Sequence, residues 1–137
     1  MIKNVGAKPE KLKARRVNRL RAAERRKSPR IAKELPINIA ADGYGFSTTT
    51  QNVSCTGVYC RVNRYIPPFT KIAVKMALPI VNPKTARNSL SCLECKGVVV
   101  RTEDEDMGGF NIAIFFNDIN DSQRQKISRY VNQFLPQ

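Results

Sequence analysis

Between residues 35 and 116 the apolar side chains recur at every second position, in short runs broken by turn residues. A period of two puts one face of an extended chain in a core and the other in water, and it is incompatible with a helix. The pattern is cleanest at Ile72, Val74, Met76 and Leu78, set against Lys71, Ala73, Lys75 and Ala77. It recurs at Leu35, Ile37, Ile39 and Ala41, at Val58, Cys60 and Val62, and at Phe110, Ile112, Ile114 and Phe116. Tyr44 to Gln51, rich in Thr and aromatics, reads as a further strand after an Asp42-Gly43 turn. Residues 89–102 read as a long strand with Gly97 as a bulge. The connections are a loop at 63–70 with Pro67-Pro68, a turn-rich stretch from Pro79 to Asn88, and an acidic tip, Glu103 to Asp106. Six strands with this spacing pair antiparallel and bury best as a small closed barrel or a sandwich.

The tail changes period. Ile127, Tyr130, Val131 and Phe134 fall on one face of a helix, with Asn120, Asp121 or Ser122 to cap it and Pro136 to stop it. No stretch of 18 or more apolar residues exists, so no helical membrane span is expected. Met1 to Lys8 lacks the apolar middle of a secretory leader, so the expected compartment is the cytoplasm, where thiols stay reduced.

Charge divides the chain. Residues 1–33 carry 13 basic and 2 acidic side chains, whereas residues 34–137 carry 11 and 9. The expected organisation is a basic arm over 1–23 and one domain over 24–137. Residues 10–26 hold good helix formers with a thin apolar stripe, Leu12, Val17, Leu20 and Ala23, which is enough for a helix only against a partner or the body of the protein. Pro29 ends any such helix. An arm of this kind calls for an anionic partner: nucleic acid, a nucleotide or an acidic membrane surface.

The chain has no histidine, which removes His-based triads, His-ligated metals and imidazole acid–base chemistry. No catalytic residue and no cofactor are expected. Of the four cysteines, Cys92 and Cys95 have a zinc-like spacing, but on a strand that spacing points them to opposite faces. Packing as small hydrophobes is the expectation for them and for Cys55 and Cys60, and no metal site is expected.

Two short motifs carry ligand chemistry. Arg26-x-x-x-Arg30 lies just before the first strand, and two planar guanidinium forks can clamp a phosphodiester or donate to the O6/N7 edge of guanine. Asn52-x-Ser54-x-x-Gly57 is a polar, glycine-closed corner whose side chains offer hydrogen bonds. Its glycine serves either a positive φ or the approach of a ligand to the backbone.

In this combination and order, the two motifs resemble the signature of the PilZ domain family, R-x-x-x-R followed by [D/N]-x-S-x-x-G. Gly97-Val98-Val99-Val100-Arg101 is similar to the family's fifth-strand segment, and Gly108-Gly109-Phe110 through Phe116 to its last strand. The resemblance implies an antiparallel six-stranded barrel with a C-terminal helix, and binding of the bacterial second messenger cyclic di-GMP. By that resemblance Arg26 and Arg30 hold the phosphates and one guanine, Asn52 and Ser54 contact the other guanine and backbone, and Gly57 leaves room. Arg25, directly before the first motif arginine, is similar to the type that binds an intercalated pair of ligands rather than one. The family's fifth strand often carries an aromatic where this chain has Val99 or Val100. The implied role is a signalling receptor or adaptor for an unidentified protein partner, with the arm ordering on ligand binding. Two rival readings are a basic nucleic-acid-binding barrel, which would place aromatics on an outer face for base stacking, and a zinc-stabilised structural module.

Overall fold

The computed structural model describes residues 29–82 and 84–135. Six strands, β1 (Pro36–Ala41), β2 (Tyr44–Val53), β3 (Gly57–Val62), β4 (Lys71–Val81), β5 (Asn88–Asp104) and β6 (Phe110–Asp118), precede one helix, α1 (Asp121–Asn132). The strands close into an antiparallel barrel in the order β1-β2-β3-β6-β5-β4, with β4 returning to β1. Closure answers the open choice between barrel and sandwich.

The period of two sets the inside. Ile37, Ile39, Val58, Cys60, Val62, Ile72, Val74, Met76, Leu78, Ile112, Ile114 and Phe116 are all buried in one core. Gly43 takes φ 83° in the turn that joins β1 to β2, a conformation that costs glycine nothing. Asn120 caps α1, its side chain accepting from the Gln123 N–H at 2.9 Å. The helix packs on β4 and β5, and its Ile127, Tyr130 and Val131 complete the core.

Three expectations are corrected. Pro79 does not begin a connection: β4 runs through it to Val81, and Ile80 is buried. Proline is tolerated there because the pairing of β4 with β1 has ended at Met76, leaving the strand bonded on one side. Phe134 lies beyond the helix and is 43% exposed, its ring 5.2 Å from Tyr130 with the Lys33 ammonium 4.2 Å above it. Phe115 is also exposed, since two adjacent phenylalanines on a strand face opposite ways. Finally, the cysteines do not all pack: Cys60 is buried, Cys55 and Cys95 are half-buried, and Cys92 is exposed. Burial pushes the Cys60 thiol up to about 12, and burial with the nearby Asp118 charge pushes Cys95 up to about 11.

The long strand β5 shows the expected irregularity. Its register with β6 shifts between Lys96 and Val98, at Gly97, and again between Val99 and Arg101. A Cβ at Gly97 would meet Ile114 Cγ2 and the Phe115 carbonyl oxygen at 2.9 Å each, so the bulge brings two backbones closer than any side chain permits.

Candidate ligand-binding site

The corner between β2 and β3 is built by one hydroxyl. Ser54 Oγ accepts from the backbone N–H groups of Thr56 and Gly57, both at 3.2 Å, while the Ser54 N–H donates to the Gly57 carbonyl at 2.9 Å. Serine is suited to such a turn because its short side chain reaches its own backbone two and three residues on. Ser54 is therefore buried, 5% exposed, with its hydroxyl committed to the turn.

Of the two purposes read for Gly57, a positive φ is not one that it serves, and close packing of strands gives it another. Its φ is not in the left-handed region, and a Cβ there would lie 2.1 Å from the Ile114 carbonyl oxygen of β6. The glycine lets β3 lie against β6, where Gly57 pairs with Phe115 and the Phe116 N–H donates to the Thr56 carbonyl at 2.9 Å.

Asn52 reaches the outer surface through a feature that the alternation does not reveal. The register of β2 on β3 slips between Thr50 and Asn52, so Gln51 is an extra residue. Thr50 and Val53 both face inward, fully buried. Without the slip Asn52 would share the inward face of Thr50; with it, Asn52 is half-buried at the surface.

The chain enters the barrel beside this corner. Ile31 and Val53 exchange two backbone hydrogen bonds of 2.9 Å, which brings the adjacent Arg30 next to Ser54. Thr50 holds the entry further along. Its Oγ1 accepts from the Leu35 N–H at 2.9 Å and donates to the Lys33 carbonyl at 2.6 Å, and its own N–H donates to the Leu35 carbonyl.

Arg30, Asn52, Ser54 and Gly57 thus line one concavity with Thr56, Val58, Tyr59, Val100, Arg101, Ala113, Ile114 and Phe115. Arg25 and Arg26 lie outside the described residues. The concavity measures about 100 Å³. A closed pocket for a drug-sized molecule runs to roughly 300–1,000 Å³, so a dinucleotide on these walls would lie largely open unless another segment covered it.

Motif spacing did not point to Tyr59, Val100, Arg101 or Phe115. Arg101 Nε donates to Glu103 Oε1 at 2.9 Å, and the Tyr59 hydroxyl donates to the same oxygen at 3.4 Å. The Arg101 guanidinium stands 5.9 Å from the Tyr59 ring centroid. Desolvation, then the Glu103 charge, raises the Tyr59 hydroxyl above the usual phenol range. Val99 is fully buried and Val100 is 47% exposed, so Val100 is the one of the two that faces the concavity. Phe115 offers an exposed ring on the opposite wall. The signal for it was present: two phenylalanines in succession cannot both enter a barrel. The arrangement offers two guanidinium groups, an amide and apolar faces, with no carboxylate on the wall, which suits a planar anionic ligand.

Residues 24–133 match the model of the PilZ domain. Among solved structures, the fold is similar to the Bacillus subtilis inhibitor of motility (MotI/DgrA), with a TM-score of 0.66 and 14% identity. That alignment covers 79% of this chain and 50% of the other, so this chain spans half the length of that relative. The PilZ domain of CeSA from a cellulose-synthesizing bacterium aligns at TM-score 0.54 and 14% identity, over 77% of this chain and 96% of that one. The PilZ domain of YcgR from Escherichia coli, solved with c-di-GMP, aligns at TM-score 0.54 and 10% identity, over 80% and 90%. No curated protein matches the chain by sequence.

Proposed function

The chain belongs to the PilZ domain family, and on that premise we propose that it is a cyclic di-GMP receptor whose ligand lies between the arm and the β2–β3 corner. One observation carries the reading: Arg30 of the first motif and Asn52 of the second, distant in sequence, line the same concavity. In this reading Arg25, Arg26 and Arg30 supply the guanidinium forks for two phosphates and a guanine edge. Asn52 donates and accepts at the second guanine. Ser54 acts by fixing the corner. Gly57 acts by letting β3 rest on β6 under the ligand. Phe115 and Val100 form apolar contacts for a purine face, and Arg101 adds charge from β5.

The shallowness of the described walls supports an arm that covers the ligand. The described chain enters beside the open side, with Ile31 anchored to Val53 and Arg30 on the wall, and Arg25 and Arg26 precede Arg30 by only a few positions in the sequence. Ligand binding then orders the arm and changes the surface that a protein partner meets in the cytoplasm. With Arg25 in place, the ligand is an intercalated pair. The protein transmits a signal and performs no chemistry on the nucleotide.

Calorimetry with cyclic di-GMP tests this on the wild type and on the Arg26→Ala/Arg30→Ala variant. The expected result is two ligands per wild-type chain and loss of binding by about a hundredfold or more in the variant, each charge-assisted contact contributing about 1.5–3 kcal/mol. Unchanged affinity in the variant refutes the site. A stoichiometry of one refutes the paired ligand alone. Hydrogen exchange at residues 10–30, unaltered by saturating ligand, refutes the ordering of the arm.

A further inference from the structure

Away from the corner, the two strands of the β2–β3 hairpin part. β2 pairs with β3 only from Thr50 to Val53, whereas its pairing with β1 runs from Tyr44 to Thr49. β3 meanwhile continues along β6 to Val62. At the fork the Thr48 hydroxyl donates to the Arg61 carbonyl at 2.5 Å, a side chain standing where a ladder bond would be. Beyond it a wedge of about 160 Å³ lies between Tyr44–Thr48 and Arg61–Arg64.

Alternation fixes which main-chain groups this leaves over. The Thr50 N–H donates to the Leu35 carbonyl at 2.9 Å, on the β1 side, and the β1–β2 register is unbroken. Phe46 and Thr48 therefore point their N–H and C=O groups at β1, while Gly45 and Ser47 point theirs the other way. Among the described residues nothing takes these outward groups. β5 differs. Where it outruns β6, α1 takes up its groups: the Glu94 N–H donates to Gln123 Oε1 at 2.8 Å, and Lys126 Nζ donates to the Cys92 carbonyl at 3.0 Å. Nor does the margin of β2 carry the residues that keep other strands away, since Tyr44 to Thr49 holds no proline and no charge.

A row of unmet donors and acceptors at every second residue is the complement of another extended chain. The wedge beside it is lined by Tyr44 and Phe46, whose rings stack at 6.4 Å and offer a seat for an apolar side chain of the incoming segment. Charge decides whose chain it is. The Arg64 guanidinium lies 3.9 Å from the Tyr44 ring centroid, at the start of this margin, and makes no ion pair among the described residues. A second copy brings a net charge of +13 to meet its own like. An acidic segment brings the opposite sign.

We propose that the early margin of β2 receives an extended acidic segment of a protein partner, which adds as a strand through the main-chain groups of Gly45 and Ser47. The cyclic di-GMP reading uses none of these residues, so either can fail without the other.

The test uses the full chain, nitrogen-15 labelled, with amide exchange read residue by residue. The probe is an acetylated and amidated hexapeptide, Glu-Val-Thr-Val-Thr-Glu. In the free chain the Gly45 and Ser47 amides should exchange fast while Phe46 and Thr48, bonded to β1, exchange slowly. Saturating peptide should slow Gly45 and Ser47 about tenfold and leave Phe46 and Thr48 unchanged. The same peptide methylated at its valine and threonine nitrogens keeps every side chain and charge, and should lose the effect. Replacing its two glutamates by glutamines should weaken binding about fivefold. Gly45 and Ser47 already slow in the free chain, slowing that follows chain concentration alone, a response confined to residues 1–33, a methylated peptide that acts equally, or no response at all each overturn the proposal. Equal binding of the glutamine peptide overturns the acidic partner.

Discussion

Two glycine-bearing connections of the barrel behave in opposite ways. At the β2–β3 corner, Gly57 has an extended backbone but no space: an added Cβ would sit 2.1 Å from the Ile114 carbonyl oxygen. At the β5–β6 tip, Gly108 has space but a backbone that resists side chains, with φ 99° and nothing within 4 Å of its would-be Cβ. The corner is fixed by the backbone of β6 and by the Ser54 hydroxyl, whereas the tip at Gly108 is held by its own turn and by one exposed side chain, Arg61, which donates to the Gly108 carbonyl at 2.6 Å. A ligand wall needs the first kind of constraint, because its shape then survives whatever the chain at its rim is doing.

Substitution tests the difference, beginning with the largest effect. Gly57→Ala forces β3 away from β6 and should cost about 3 kcal/mol, read as a fall in denaturant midpoint and loss of cyclic di-GMP binding. A variant of wild-type stability would show that the corner yields, and the contrast with the tip would vanish. Thr50→Val comes next. It strands the buried Leu35 N–H and should cost about 2 kcal/mol. It should also weaken ligand binding, since Thr50 and Ile31 together hold the chain segment that follows Arg30. Gly108→Ala should cost only about 1 kcal/mol, the strain of a positive φ, and leave calorimetric binding of cyclic di-GMP unchanged.

The smallest effect concerns the core behind the corner. Cys60 follows it on β3 with its thiol raised from 9 to about 12 by burial. The folded state keeps that thiol protonated while the unfolded chain ionises it. The contribution is therefore complete below pH 9 and is lost as pH rises from 9 towards 12. At pH 9.5 the loss is under about 1 kcal/mol, and Cys60→Ala should flatten that part of the alkaline slope. In native protein at pH 8, alkylation should reach exposed Cys92 first and Cys60 last; equal rates would mean the core opens readily.

Alternation of polar and apolar residues suffices where each side chain answers only to one core. It locates the inward residues of β1, β3 and most of β4, and the closing helix from Ile127, Tyr130 and Val131. It fails where pairing departs from regularity. The slip at Gln51, which turns Asn52 outward, depends on the partner strand and leaves no mark in the local pattern. Pro79 looked like a boundary because a proline cannot serve two neighbours, and here it has one. In the candidate site, the motifs named Arg30, Asn52, Ser54 and Gly57, and the fold set all four around one concavity. The walls from β5 and β6 were legible only in part: the paired phenylalanines mark Phe115 as outward, but that it and Arg101 meet the corner was not legible, because which residues face each other across a closed sheet is a property of register.

The stretch of β4 that outruns β1 is bonded on one side only, yet its free side is not bare. Gln133 turns back from the end of α1, accepting from the Val81 N–H at 2.9 Å and donating to the Pro79 carbonyl at 3.2 Å. An unoccupied margin of this kind ordinarily recruits foreign chains into growing fibrils. Here a single amide takes up two of the backbone groups a neighbouring strand would use, so the margin offers fewer of them to another chain.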